Sequence, residues 1–322
     1  MKIFVTRRIP QSGLDLLKKH HEIQINPHDR VLSKQEIIKS LNDKDGLLCL
    51  LTDPIDEEVI NSESKLKMIA SYAVGYDNID VKAATKRGIP VSNTPGVLTH
   101  ATSEMAWALL FSVARRIVEG DYFTRKGKFN GWDPMLLHGQ EIEGKTLGVV
   151  GVGRIGTAFA LKSKGFNMKV LYTDEKNNLV LDKKLNAEKV ELDFLLKNSD
   201  FISLHVPLIP TTYHLISERE LRIMKKTTVL INTSRGPVMD EQALVKALKQ
   251  KWIFGAGLDV YEHEPNVTQE LLKLDNVVLQ PHSASATSES RTKMAIIAAE
   301  NMIVGLRGEI PPNCVNSEVF KK

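Results

Sequence analysis

Thr146-Leu147-Gly148-Val149-Val150-Gly151-Val152-Gly153-Arg154-Ile155-Gly156 joins an apolar run to a helical pattern through a G-x-G-x-x-G sequence. Glycines at this spacing occur in many loops, so the flanking residues matter. The run TLGVV has the composition of a buried strand, and Ile155, Ala158 and Phe159 share one face of the helix that follows. In that setting the first glycine makes the turn and the second lets a pyrophosphate approach the backbone. The third permits close helix–strand packing, and the helix N-terminus favours the anion. Eighteen residues beyond Gly156, Asp174 ends the next apolar run, KVLYT. A carboxylate there accepts hydrogen bonds from both ribose hydroxyls and repels a 2′-phosphate. The stretch predicts a dinucleotide-binding α/β domain that takes NAD in preference to NADP, with Lys176 as a partial offset to the aspartate's charge.

On either side the same alternation continues. Downstream, FISLH (201–205), TVLINT (228–233), IFGAGLDV (253–260) and NVVLQ (276–280) have the pattern of buried strands. Upstream, KIFVT (2–6), EIQIN (22–26), GLLCLL (46–51), KMIAS (67–71) and IPVSN (89–93) form an earlier block. Helical patterns lie between them, among them Gly13–Lys19 and Ser33–Leu41, the latter with Ser33 as N-cap and Glu36 completing a capping box. Strands separated by single helices imply parallel sheets covered on both faces. HATSEMAWALLFSVARRIVEG (100–120) is expected to form one long, largely buried helix. Residues 126–144, broken by Gly127, Gly131, Pro134, Gly139 and Gly144, are expected to be a loop. A closing helix runs from about Thr287 to Leu306. The pattern predicts two doubly wound lobes with a cleft between them.

Composition removes several classes. The 322 residues favour two domains. A net charge of +4, from 43 Lys plus Arg against 39 Asp plus Glu, leaves no basic footprint for nucleic acid. The longest apolar run, near Met105 to Ala114, is about half of a bilayer crossing. Two cysteines, Cys49 and Cys314, are too few for a disulfide framework or a cysteine metal site, and the histidines show no metal-ligand spacing, so no metal is expected. The N-terminus MKIFVTRRIP lacks a signal-peptide core, so a cytoplasmic location is expected.

Three side chains, each of which reads equally as an ordinary loop residue on position alone, have the chemistry that reduction of a 2-oxo acid requires. Arg235 in NTSRGP follows a strand and offers a permanent, bidentate cation for a carboxylate. His282 in QPHSASAT also follows a strand, and histidine is the side chain most readily poised for proton transfer near neutral pH. Glu264 in DVYEHEP would stabilise the imidazolium if it touched His282. Their contact is not visible in the sequence. His205 and His214 have a packing role rather than a chemical one in this reading.

GVGRIG, NTSRGPVMDEQALVKAL, GAGLDVYEHEP and QPHSASAT occur in order, and each resembles a hallmark of the D-isomer-specific 2-hydroxyacid dehydrogenases. The resemblance covers nearly the whole chain. It implies a Rossmann cofactor domain at 100–286. It also implies a flavodoxin-like substrate domain assembled from 1–99 and 287–322. It assigns Arg235 to the substrate carboxylate and Glu264 with His282 to the acid–base pair. It places Asp259 and His282 beside the nicotinamide, Asp259 on the carboxamide. Backbone amides around Val74 and Gly75 would also bind the substrate carboxylate. Gly151, Gly153, Arg154, Ile155, Gly156 and Asp174 would hold the dinucleotide, with His205, Val206, Pro207, Thr212 and Thr233 lining it.

NGWDPMLLHGQEIEGKT resembles the corresponding stretch of the glyoxylate/hydroxypyruvate and 2-ketogluconate reductase branch. There it lies near a dimer contact and reaches the neighbouring pocket, so Trp132, Met135 and Leu136 are candidates for shaping the substrate site. The helix around Trp107 is expected to join them in a homodimer interface. Two departures from the branch are Ser283-Ala284, where Ile-Gly is more frequent, and Asp174, where several glyoxylate reductases carry basic residues. A non-enzymatic NAD-sensing corepressor on the same fold is the alternative from another functional class.

Overall fold

The computed structural model describes residues 1–321, and its chain divides into two compact units. One comprises Met1–Leu98 together with the chain from Ala286 onward, and the other Thr99–Ser285.

The first unit contains β1 (Lys2–Val5), β2 (Glu22–Ile25), β3 (Gly46–Cys49), β4 (Met68–Ser71) and β5 (Val91–Ser92). They pair in parallel in the order β2-β1-β3-β4-β5, the flavodoxin-like arrangement. β3 and β4 are buried along their whole length, as central parallel strands under helices must be. Helix Lys34–Leu41 starts with the expected Ser33/Glu36 capping box. The closing helix, Ser288–Leu306, begins where Thr287 accepts the Ser290 N–H at 3.1 Å. It lies so close to helix Gln11–Lys18 that a Cβ on Gly13 would come within 2.6 Å of the Ala295 carbonyl oxygen. The C-terminal segment then ties itself to β5. Asn316 Oδ1 accepts the Val91 N–H at 2.7 Å, and its Nδ2 donates to the Ile89 carbonyl at 3.0 Å.

The second unit contains β6 (Thr146–Val150), β7 (Lys169–Thr173), β8 (Glu188–Lys189), β9 (Phe201–Leu204), β10 (Val229–Asn232), β11 (Gly255–Leu258) and β12 (Val277–Leu279). All are parallel, in the order β12-β11-β10-β9-β6-β7-β8, so the winding reverses between β6 and β9. Alternate residues feed two cores, one on each face. Leu147, Val149, Val229 and Ile231 join one, and Val150, Ile202, Leu204 and Leu230 join the other. β8 is a two-residue edge strand of exposed Glu188 and Lys189, and no apolar run announces it.

The expected single helix over 100–120 is two helices, Thr99–Ala114 and Ile117–Arg125. The break falls at Arg116, whose backbone is left-handed (φ 53°) and whose guanidinium grips Glu119 at 2.6 and 2.8 Å. Trp107, in the first of these helices, packs inward. It is 6% exposed, stacks on Phe159 at 5.0 Å between ring centroids, and donates its Nε1–H to the Phe159 carbonyl at 3.0 Å. It therefore belongs to the core of its own unit. Among the described residues, no helix is long and apolar enough to cross a membrane.

Candidate active site

Parallel register aligns the strand ends of the second unit. Thr173, Val150, Leu204, Asn232, Leu258 and Leu279 are successive Cα partners in one row across the sheet. The next residue on each strand is Asp174, Gly151, His205, Thr233, Asp259 or Gln280. Five of these six were predicted site residues. They line the carboxyl edge of the sheet on both sides of its reversal, where open α/β sheets bind ligands.

The three glycines play separate parts. Gly151 has φ 87°, and a Cβ there would meet the His205 carbonyl carbon and oxygen at 2.9 Å. A Cβ on Gly156 would come within 2.0 Å of the Gly151 carbonyl oxygen, so the helix can sit on the turn only without a side chain. Around Gly153, in contrast, nothing lies within 4 Å of the Cβ position. It is the N-cap of helix Arg154–Lys162, with exposed Arg154 and half-buried Ile155 after it. Open space at a helix N-terminus fits a pyrophosphate. Thr233 adds a second fit: its Oγ1 is buried and has no hydrogen-bond partner among the described residues.

Asp174 Oδ2 accepts the Val152 N–H at 2.7 Å, which fastens the carboxylate to the glycine turn. The His205 ring packs on Phe159 at 5.0 Å and shares a 2.9 Å hydrogen bond with Ser203 Oγ. Burial pushes its pKa down to about 3, so the ring is neutral. Val206 is half-buried and Pro207 exposed in the loop after it. Thr212 Oγ1 accepts the Ile209 N–H at 2.9 Å and donates to the Pro207 carbonyl at 2.6 Å, which shapes that loop.

Arg235, Glu264 and His282 come from the loops after β10, β11 and β12, three adjacent strands. His282 Nδ1 lies 2.8 Å from Glu264 Oε2. Burial acts to raise the Glu264 carboxyl. The His282 hydrogen bond and charge, the Tyr261 N–H at 3.0 Å and the Arg235 charge outweigh it, and the carboxyl stays below its ordinary range. An ionised carboxylate can only accept, so Nδ1 is the donor and Nε2 is left for other chemistry. Arg235 is half-buried, and its Nη1 also donates to the Ser234 carbonyl at 2.8 Å.

His282 itself has a left-handed backbone (φ 51°), an expensive conformation for a residue with a side chain. Asp259 stabilises the turn. Fully buried, it accepts the Ser283 N–H at 2.7 Å and the Ala284 N–H at 2.9 Å. Burial raises the Asp259 carboxyl despite these two donors. The resemblance gave Asp259 a nicotinamide contact, and the turn behind His282 is a task the sequence did not show. In the first unit, Val74 and Gly75 follow β4, and the Val74 carbonyl accepts Asn93 Nδ2–H at 2.7 Å.

Residues 107–284 match the family model described as D-isomer specific 2-hydroxyacid dehydrogenase, NAD binding domain. A glyoxylate reductase of Korarchaeum cryptofilum is 54% identical over 322 residues, covering 99% of this chain and 97% of the relative. The chain belongs to the D-isomer specific 2-hydroxyacid dehydrogenases.

Solved structures agree. A glyoxylate reductase from Paecilomyes thermophila superposes with TM-score 0.87 at 30% identity, covering 99% of both chains. An NADPH-dependent glyoxylate/hydroxypyruvate reductase from Sinorhizobium meliloti, in complex with NADP and malonate, gives 0.88 at 30% identity, covering 98% of this chain and 96% of that one. The protein is thus an NAD(P)-dependent dehydrogenase with an NAD-binding domain. In this dehydrogenase, sequence reasoning missed what backs the Glu264–His282 contact: Asp259 behind the His282 turn, Tyr261 behind Glu264, and Glu262, two residues before it. The alternation of acids in DVYEHEP was the available signal, but it does not say which carboxylate faces which partner.

Proposed function

We propose that this dehydrogenase reduces a small 2-oxo acid, glyoxylate before hydroxypyruvate or 2-ketogluconate, to the 2-hydroxy acid with NADH. The observation that carries this reading is the 2.8 Å contact between His282 and Glu264 at the sheet edge that also bears the glycine turn and Arg235. The names of the relatives at about half identity support glyoxylate as the first substrate. NADH, when bound, supplies the hydride that reaches C2 of the oxo acid.

The protein's own residues do the rest. Gly151, Gly153, Arg154, Ile155 and Gly156 hold the pyrophosphate, and Thr233 offers its free hydroxyl. His205, Val206, Pro207 and Thr212 shape the adjoining wall. Asp174 faces the ribose and selects NADH over NADPH by charge. Arg235 grips the substrate carboxylate, and the amides of Val74 and Gly75 are assigned the same ligand. With Nδ1 committed to Glu264, His282 gives its Nε2 proton to the carbonyl oxygen, and Asp259 keeps the imidazole in position. In the oxidative direction His282 is neutral and takes the proton back.

The test is a matrix of glyoxylate, hydroxypyruvate, pyruvate and 2-ketogluconate against NADH and NADPH. Glyoxylate with NADH should give the highest kcat/KM. No oxidation of either nucleotide with any of the four acids would sink the proposal.

The same reading includes a homodimer. Phe129 (59% exposed), Trp132 (86%) and Met135 (74%) project from the loop at 126–144, more apolar surface than one segment ordinarily leaves in water. A second copy would cover them, and Trp132 with Met135 and Leu136 would then border the partner's substrate site. Light scattering should report a dimer for the wild type and partial dissociation for Trp132→Ala. A monomeric wild type would refute it.

A further inference from the structure

The loop that carries Glu264 leaves β11 and reaches β12 across an exposed bend, Glu264–Asn266. A lone pair of side chains cannot keep such a bend in register, yet the acid–base contact needs it to be. Glu241, at the start of helix Glu241–Lys249 and only 5% exposed, spans both shoulders of the bend. Its Oε2 accepts the Glu262 N–H at 2.9 Å, and its Oε1 accepts the Thr268 N–H at 3.1 Å. Glu262 returns the bond, with Oε2 accepting the Glu241 N–H at 3.1 Å. The second oxygen of Glu262 lies 2.7 Å from His214 Nε2.

These residues also fix the neighbouring loop. The His214 N–H donates to the Pro237 carbonyl at 2.8 Å, beside the turn that holds Arg235. Gly236 runs so close to the bend that a Cβ there would fall 1.9 Å from the Tyr261 carbonyl carbon and oxygen. A buried and a half-buried carboxylate this close are costly unless their oxygens are engaged, and in this pair all four are. The arrangement is well satisfied and rigid, as a positioning element requires.

We propose that Glu241 and Glu262, with His214, form a reciprocal clamp whose task is to hold the Glu264 bend in contact with His282 and against the Arg235 turn. Glu241 and Glu262 are positioning residues that act through Glu264. The inference rests on the reading of Glu264 and His282 as the acid–base pair.

The experiment compares Glu241→Gln, Glu262→Ala and Glu262→Gln with the wild type. The readouts are the pH profile of 2-oxo acid reduction, kcat, and KM for NADH. The charged groups that face His282 are Glu264 and Asp259, with Arg235 on the adjacent loop. Glu241→Gln keeps one carbonyl acceptor where two are needed. It should lower kcat about tenfold and move the profile to lower pH, with KM for NADH changed less than about twofold, as a loss of transition-state positioning alone would do. Glu262→Ala should behave alike. Glu262→Gln can still accept from the Glu241 N–H and donate to His214, so it should recover most of the loss. Profiles of Glu241→Gln and Glu262→Ala that superpose on the wild type would overturn the clamp.

Glu264→Gln in the same assay separates the two ideas. If it moves the profile and the clamp variants do not, only the clamp is wrong. If it leaves the profile in place, the acid–base pair falls and the clamp with it.

Discussion

His282 Nδ1 and Glu264 Oε2 are 2.8 Å apart, with the two side chains 25% and 29% exposed. The carboxyl is held below its ordinary range in spite of the burial that would raise it, so it is ionised near neutral pH. A depressed carboxyl contributes fully above its unfolded-state pKa, and that contribution is lost only as pH falls through the folded value. Near neutral pH, therefore, Glu264 presents a negative charge to the His282 ring. Glu264→Gln removes that charge and should move the pH profile for reduction to lower pH, because in the proposed reaction His282 gives the proton. Initial rates across the pH range will show it, and an unmoved profile would remove Glu264 from the pair.

For His282→Ala the expected loss of kcat is about 10²–10⁴-fold, the usual contribution of a positioned general acid. The ring is not part of the glycine turn, so NADH affinity measured by fluorescence titration should change little. Loss of binding with no separate loss of turnover would make His282 a cofactor residue instead.

Asp174 is bonded to the Val152 N–H at 2.7 Å and stands where the ribose is expected. Asp174→Ala should weaken NADH and improve NADPH, raising the ratio of their kcat/KM values toward NADPH. An unchanged ratio, or a wild type that prefers NADPH, would overturn the assignment.

Two glycines of one motif should fail in different ways. In Gly156→Ala the new methyl meets the Gly151 carbonyl at 2.0 Å, which should cost at least the about 1–3 kcal/mol typical of overpacking. Gly153→Ala has open space and should keep its melting temperature while losing NADH affinity. A thermal melt with and without NADH distinguishes them, and equal destabilisation would contradict separate roles for the two glycines.

Much of the fold was legible because its signals are local. TLGVV before Gly151 and the small residues after Arg154 establish a strand, a turn and a helix within a dozen positions. Ser33 with Glu36 marked a helix start that the structure reproduces. Where long-range packing outweighed local pattern, the reading failed. Residues 100–120 have helical composition throughout, but Arg116 turns left-handed and binds Glu119. β8 exists only because it lies beside β7.

The amino-acid order was enough to nominate the candidate residues: a glycine turn for a dinucleotide, an arginine that cannot lose its charge, a histidine and an acid. The distances between them came from the packing. Glu264 and His282 are eighteen residues apart, and they meet because β11 and β12 pair in parallel with Leu258 opposite Leu279. Arg235 joins them because β10 lies on the other side of β11, with Asn232 opposite Leu258. Register in a parallel sheet is set by non-local hydrogen bonds and by helices packed on both faces, and no short stretch of sequence encodes it. The same holds for Asp259 and Glu241, whose carboxylates take backbone donors from more than twenty residues further along the chain.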